Sequence, residues 1–325
     1  MEHNKLRVGI VGLGYWGPKL VEIFKGLGVL EVICDLREDL LAEVSTKSGI
    51  RGVTDFSKML DEVDAVVLTT PPATHYKLAK EALEKGKHIF VEKPLTTSTK
   101  EADELVATAR KQGKILFVDH TFCYDGVLRK LRERISAGEF GKVKSSKFEW
   151  LGARQKQEGP DVLWDSGPHA YAALYFLLGK TPLKISATKL LSLDTGVLSA
   201  LSAEASFDDG SSAKILLAWQ NQKLFGKDVE KAARVVLDCE KKHVEFEGSF
   251  ATRQASIGNS NEAGELETII PESGDNPLKS ACQAFLDAIN SGKNAVSDGK
   301  FGSTVVQMLE ATGESLASGS RTEIS

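Results

Sequence analysis

Lys93 stands at the end of an apolar run, His88-Ile89-Phe90-Val91, inside the charged tripeptide Glu92-Lys93-Pro94. Proline bars the α region to the residue before it, so Lys93 is expected to be extended and to leave the strand end as a donor facing a ligand. A second reactive stretch, Trp164-Asp165-Ser166-Gly167-Pro168-His169, leads into the apolar run Ala170 to Leu178 and closes at Gly179. Pro168 suits a first helical position and Gly179 a C-terminal stop, so the sequence predicts a loop entering a helix with His169 in its first turn. Positive potential there would disfavour imidazolium and leave His169 neutral, able to accept a proton. Asp165, four residues earlier, can orient the ring or stabilise its charged form. Taken alone, an N-cap aspartate followed by a surface histidine is at least as good a reading of that pair.

A third cluster, Gly12-Leu13-Gly14-Tyr15-Trp16-Gly17, fits G-x-G-x-x-G directly after the run Val8 to Val11 and at the start of a helical pattern. That context gives an otherwise weak motif its meaning. Gly12 permits a tight turn, Gly14 lets backbone approach a pyrophosphate, and Gly17 allows close helix–strand packing, while the helix N-terminus offers donors to phosphate. Asp35 ends the second strand some twenty residues on, where an acid accepts the adenosine ribose hydroxyls and repels a 2′-phosphate. NAD is thereby favoured over NADP, with Leu36 and Arg37 beside it and Arg37 a counterweight able to attract that phosphate. Thr69-Thr70-Pro71-Pro72 follows the fourth strand, and Thr70 and Pro71 are expected to border the nicotinamide ribose. His75, counted with Glu92 and Lys93 on the cofactor side, reads best as a helix-start residue packed on that loop.

The elements that must hold these groups alternate in the first third of the chain. Short β-branched runs (Val8 to Val11, Val29 to Cys34, Ala65 to Leu68, His88 to Val91, Ile115 to Val118) are separated by helical patterns over Gly17 to Leu27, Glu38 to Lys47, His75 to Lys85 and Thr99 to Gln112. The fold class that follows is α/β, an N-terminal Rossmann doubly wound parallel sheet. After one helix, Gly126 to Ala137, alternating segments at Val143 to Leu151, Leu183 to Leu193, Ala203 to Phe207, Ala213 to Trp219, Arg234 to Leu237 and His243 to Phe246 read as an antiparallel sheet. Helices return at Pro277 to Asn290 and Gly302 to Ala317. The division expected is a nucleotide-binding domain over 1–121 and an α+β domain over 122–325 for substrate binding and oligomerisation, with the last helices able to pack back on the first domain.

Composition fits a soluble two-domain protein, with 42% hydrophobic and 26% charged residues. A net charge of −4, with both signs interspersed, offers nucleic acid no basic face. No stretch approaches the roughly 20 apolar residues that span a bilayer, so no membrane partner is expected. The N-terminus leads into an apolar run too short for a secretory signal. Cys34, Cys123, Cys239 and Cys282 lie far apart without metal spacing and read as buried thiols in a reducing cytoplasm; no metal is expected.

Together, Gly12-x-Gly14-x-x-Gly17, Pro71-Pro72-x-x-His75, Gly86-Lys87-His88, Glu92-Lys93-Pro94, Asp165-x-x-x-His169 and Asp298-Gly299 resemble the Gfo/Idh/MocA oxidoreductases over nearly the whole chain. The resemblance implies an active site in a cleft between a Rossmann domain and a domain with a large, mostly antiparallel sheet. It implies Lys93 as active-site lysine, Asp165 and His169 as acid–base pair, and a homodimer or homotetramer built through the open sheet face. A cis Lys93–Pro94 bond occurs in such relatives. The expected reaction is NAD(P)-dependent hydride transfer, with NAD favoured, between nicotinamide and a secondary alcohol or ketone of a sugar, sugar nucleotide or cyclic polyol. The alternatives are a redox-neutral NAD-dependent sugar enzyme of epimerase or glycosidase type, and a cofactor-binding regulator. Tyr124, Arg154, Gln155 and Trp164 are candidate substrate contacts, and Trp219 and Gln220 are weaker ones. Departures from the family pattern fall at Ala172, where an aspartate is common, at His120 to Tyr124 in place of Asn-x-Arg, and at Asp238 to Lys242 in place of a glycine-rich turn.

Overall fold

A computed structural model describes residues 6–152, 160–219, 232–248, 253–260 and 266–324. Arg154, Gln155 and Gln220 lie outside the described residues. Two compact units emerge, one built from the chain up to His120 with Leu278–Val306, the other from Thr121–Pro277 with Gln307–Ser325.

The first unit holds a parallel sheet of β1 (Val8–Val11), β2 (Leu30–Cys34), β3 (Arg51–Val53), β4 (Ala65–Leu68), β5 (His88–Glu92) and β6 (Leu116–Asp119), in the order β3-β2-β1-β4-β5-β6. Reversal of strand order between β1 and β4 creates the crevice at the strand ends where such sheets bind ligands. Helices α1 (Gly17–Gly26), α2 (Glu38–Ser48), α3 (Phe56–Leu60), α4 (Pro72–Glu84) and α5 (Thr99–Gln112) connect the strands. Every residue of β1 and β4 is buried, which explains why these strands read as unbroken apolar runs. β3 and α3 were not anticipated, because three half-exposed residues and a single helical turn carry no usable period.

A C-terminal helix, α8 (Pro277–Ser291), rejoins this unit through one aromatic cluster. Phe90 and Phe117 stack at 4.9 Å, and Phe285 meets them edge-on at 5.6 and 5.8 Å. The segment before the last helix is tied to β6 where the backbone N–H of Val118 donates to Ser297 and the Ser297 hydroxyl donates to the Val118 carbonyl.

The second unit carries a 9-stranded sheet formed by β7 (Val143–Leu151), β8 (Lys184–Ser192), β9 (Leu198–Ser206), β10 (Ser212–Ala218), β11 (Ala232–Cys239), β12 (Lys242–Gly248), β13 (Arg253–Asn259), β14 (Glu267–Ile269) and β15 (Thr322–Glu323). Its order is β14-β13-β12-β11-β7-β10-β9-β8-β15, and apart from the parallel pair β7–β10 its strands run antiparallel. A short 3₁₀ turn, Thr121–Tyr124, and helix α6 (Gly126–Ser136) precede the sheet. Helix α7 (Val162–Leu178) covers it, and α9 (Gly299–Ser318) begins in the first unit and ends in the second. No helix among the described residues is long and apolar enough to cross a membrane.

Candidate active site

The glycine-rich turn has the shape its sequence demands. Gly12 adopts φ +89°, and a side chain there would press on the Thr69–Thr70 backbone at 2.9 Å. A Cβ on Gly17 would fall 2.3 Å from the Gly12 carbonyl oxygen, whereas at Gly14 it would meet nothing within 4 Å, which leaves that backbone open to a phosphate. Helix α1 starts here with Pro18 in its first turn and no side-chain cap on its N-terminal amides. Tyr15 is exposed, and the Lys19 ammonium lies over the Tyr15 and Trp16 rings at 4.5 and 4.0 Å. These features fit a dinucleotide's pyrophosphate at a helix N-terminus.

Asp35 ends β2 with its carboxylate buried and already occupied. Oδ2 accepts from the Leu13 amide at 2.7 Å and from Arg37 Nη2 at 3.2 Å; Oδ1 accepts from the Arg37 amide at 2.9 Å and Nε at 3.2 Å. Burial pushes this acid up, but the donors of Arg37 and Leu13 outweigh it and hold the carboxyl below its ordinary range. Leu36 is largely exposed beside them.

The loop after β4 is laced to the turn. Thr69 Oγ1 donates to the Gly12 carbonyl, and Thr74 Oγ1 donates to Thr70 Oγ1 at 2.7 Å. Pro71 caps α4. His75 packs on that loop: the ring is fully buried, with Nδ1 2.8 Å from the Pro94 carbonyl and Nε2 2.8 Å from the Thr70 carbonyl. Burial lowers its proton affinity, so a neutral ring donates to one of the two. His75 thus ties the loop after β4 to the turn carrying Lys93, whose bond to Pro94 is cis.

Glu92, also counted on the cofactor side, is buried beside Asp119, the residue paired with it in register on β6. Nothing in a single sequence gives that register.

In the second unit the expected loop before His169 is helix. Asp161 caps α7, accepting the Trp164 amide at 3.0 Å, so the helix starts at Val162 and both Trp164 and Asp165 lie in its opening turns. Pro168 is internal and His169 sits in the third turn, beyond the reach of helix-end potential, so the dipole argument for a neutral imidazole does not apply. The Asp-then-apolar start at Asp161-Val162-Leu163 was the signal that the proline obscured. Gly167 belongs to packing, since a Cβ there would come within 2.7 Å of Leu309 on α9.

Asp165 and His169 stand one helical turn apart on one face. The His169 ring stacks on Trp150 of β7 at 4.9 Å and 8°, and Phe122 closes on it edge-on at 5.7 Å and 79°. Trp150 and Phe122 were missed, because neither spacing nor motif links them to the histidine. Tyr124 is buried, and the Trp219 indole N–H donates to Ser166 at 3.3 Å, which makes Trp219 part of the α7 packing.

Residues 6–120 match the family described as oxidoreductases with an NAD-binding Rossmann fold, the Gfo/Idh/MocA group. UDP-N-acetylglucosamine 3-dehydrogenase of Acidithiobacillus ferrooxidans is 29% identical over 183 residues, 56% of this chain and 57% of that protein. Myo-inositol 2-dehydrogenase of Thermotoga maritima is 32% identical over 142 residues, 42% of each chain. The chain therefore spans about half the length of these curated relatives. A levoglucosan dehydrogenase structure with NADH and levoglucosan superimposes at TM-score 0.85 over 98% of this chain and 99% of its own, at 17% identity, a likeness of fold.

Proposed function

Residues 6–120 match the NAD-binding domain of the Gfo/Idh/MocA oxidoreductases, and from that premise we propose that the chain belongs to this group and transfers a hydride between nicotinamide and a secondary alcohol or ketone of a sugar, a sugar nucleotide or a cyclic polyol. The observation that carries this reading is the tie through His75, which seats the Lys93–Pro94 turn against the loop bordering the glycine-rich turn. A lysine set at that turn can donate to the oxygen on the substrate carbon that would face a bound nicotinamide.

NAD, when bound, supplies the hydride acceptor. The α1 N-terminus and the Gly14 backbone would hold its phosphates, and Asp35 would hold its adenosine ribose. Lys93 donates a hydrogen bond to the substrate oxygen and stabilises its alkoxide character as the C–H bond breaks. His169 takes the hydroxyl proton and returns it in the ketone-reducing direction, a contribution typically of about 10²–10⁴-fold. Asp165 and the Trp150 stack set the ring's charge and plane. Trp164 and Tyr124 contact the substrate, and Ala172 withdraws the polar contact that an aspartate would give.

The two relatives, a UDP-N-acetylglucosamine dehydrogenase and an inositol dehydrogenase, support this substrate range. Retention of both Lys93 and His169 weighs against a regulator without turnover. Self-association through the outer face of the nine-stranded sheet belongs to the same reading and is tested by light scattering on the eluting species. The activity is tested by following nicotinamide absorbance with NAD or NADP against sugars, inositols, sugar acids and UDP-sugars. Net reduction of NAD supports a dehydrogenase; substrate conversion without it would favour redox-neutral chemistry.

A further inference from the structure

Directly behind Lys93, the last residues of β5 and β6 pair in register as Glu92 and Asp119. Their side chains are 8% and 2% exposed and are neighbours across the two strands. Two ionised carboxylates held together out of water repel, so one of them keeps a proton and can donate it to the other. Burial pushes both acids up, and the neighbouring acid raises Asp119 further, well above the ordinary carboxyl range.

Two observations locate that proton. Asp119 Oδ1 is buried and has no hydrogen-bond partner among the described residues, tolerable in a neutral acid and costly in an anion. Glu92 Oε2 instead accepts the backbone N–H of Lys93 at 3.2 Å. The charged groups facing the pair are Lys93 on the same strand end and Lys19 of α1, both favouring a negative Glu92. His120, just after β6, is buried, and burial together with the charge of Lys93 pushes its proton affinity down to about 3, so it adds no charge. From α8, the Cys282 thiol is pushed up by burial and by both acids and stays neutral.

We propose that Asp119 and Glu92 share one proton, which Asp119 donates to Glu92, and that the single negative charge so fixed on Glu92 positions the Lys93 ammonium. Asp119 is then a positioning residue acting through Glu92. The shared proton stands independently of the enzymatic reading, whereas its catalytic consequence rests on Lys93 as donor to the reacting oxygen.

The test has two arms. Infrared difference spectra of wild type minus Asp119→Asn, recorded in H₂O and D₂O at neutral and mildly alkaline pH, are expected to show a protonated-carboxyl band that shifts with deuterium. Absence of that band overturns the shared proton. In kinetics, Asp119→Asn keeps an N–H donor to Glu92 and is expected to retain kcat within about 3-fold, whereas Asp119→Val lowers kcat by at least about 10-fold with NAD binding preserved. Equal activity of the two variants overturns the positioning role. Lys93→Ala is assayed in parallel: full activity there refutes the catalytic role of Lys93 and the consequence drawn for Asp119, and the infrared band still decides the shared proton.

Discussion

Replacing Arg37 with alanine should tighten NAD binding and weaken NADP binding. A carboxylate offers about four acceptor sites, and four donors, two of them from the Arg37 side chain, fill those of Asp35. The ribose hydroxyls of NAD can bind there only after the guanidinium leaves. The guanidinium is 60% exposed, so solvent screens the pair heavily. An exposed ion pair of this kind is worth about 0.2–1 kcal/mol, which converts to an NAD affinity gain of roughly 1.4- to 5-fold in Arg37→Ala. The displaced guanidinium is also the group that would meet a 2′-phosphate, so NADP affinity should fall by about 10-fold or more, as for loss of a charge-assisted contact worth about 1.5–3 kcal/mol. Calorimetric titration of both variants with both nucleotides measures this directly. Weaker NAD binding in Arg37→Ala would refute the competition and make Arg37 a ligand of NAD.

Three further outcomes follow from the same structure. Gly17→Ala places a methyl 2.3 Å from the Gly12 carbonyl oxygen and should abolish the thermal shift given by NAD, since backbone must move to admit it. Trp150→Leu removes the aromatic face under His169 and should lower kcat on the order of 10- to 100-fold with little change in KM, while Trp150→Phe retains most activity; equal kcat in both variants would refute the role. Asp119 holds its proton more tightly folded than unfolded, so unfolding above the ordinary carboxyl range releases a proton and stability falls as pH rises toward the raised folded range. Denaturation midpoints across pH should therefore decline less steeply from acid to alkaline conditions in Asp119→Asn than in wild type.

What the sequence made legible was whatever repeats along the chain. Val8–Val11, Ala65–Leu68, Thr99–Gln112 and Val143–Leu151 have the bounds their patterns predict, because burial on both faces or on alternate residues writes directly into residue type. β3 and β15 are too short to have a period, and α7 was misread because Pro168 looks like a helix start although Asp161 supplies the cap. At the site, the glycines and Asp35 announced themselves through spacing. The acid pair Glu92–Asp119, the occupied state of Asp35 and the Trp150 stack depend on register and on side-chain direction, which only the folded chain supplies.

The most direct test of the proposed chemistry is single-turnover hydride transfer in Lys93→Ala and His169→Ala, using a substrate identified from the sugar, inositol and UDP-sugar panel. Each variant should bind NAD with a thermal shift close to that of the wild type and transfer hydride at least about 100-fold more slowly, the lower end of the range for a lost acid–base group. Wild-type rates in either variant, with the fold intact, would contradict a shared role for these two residues at the reacting oxygen.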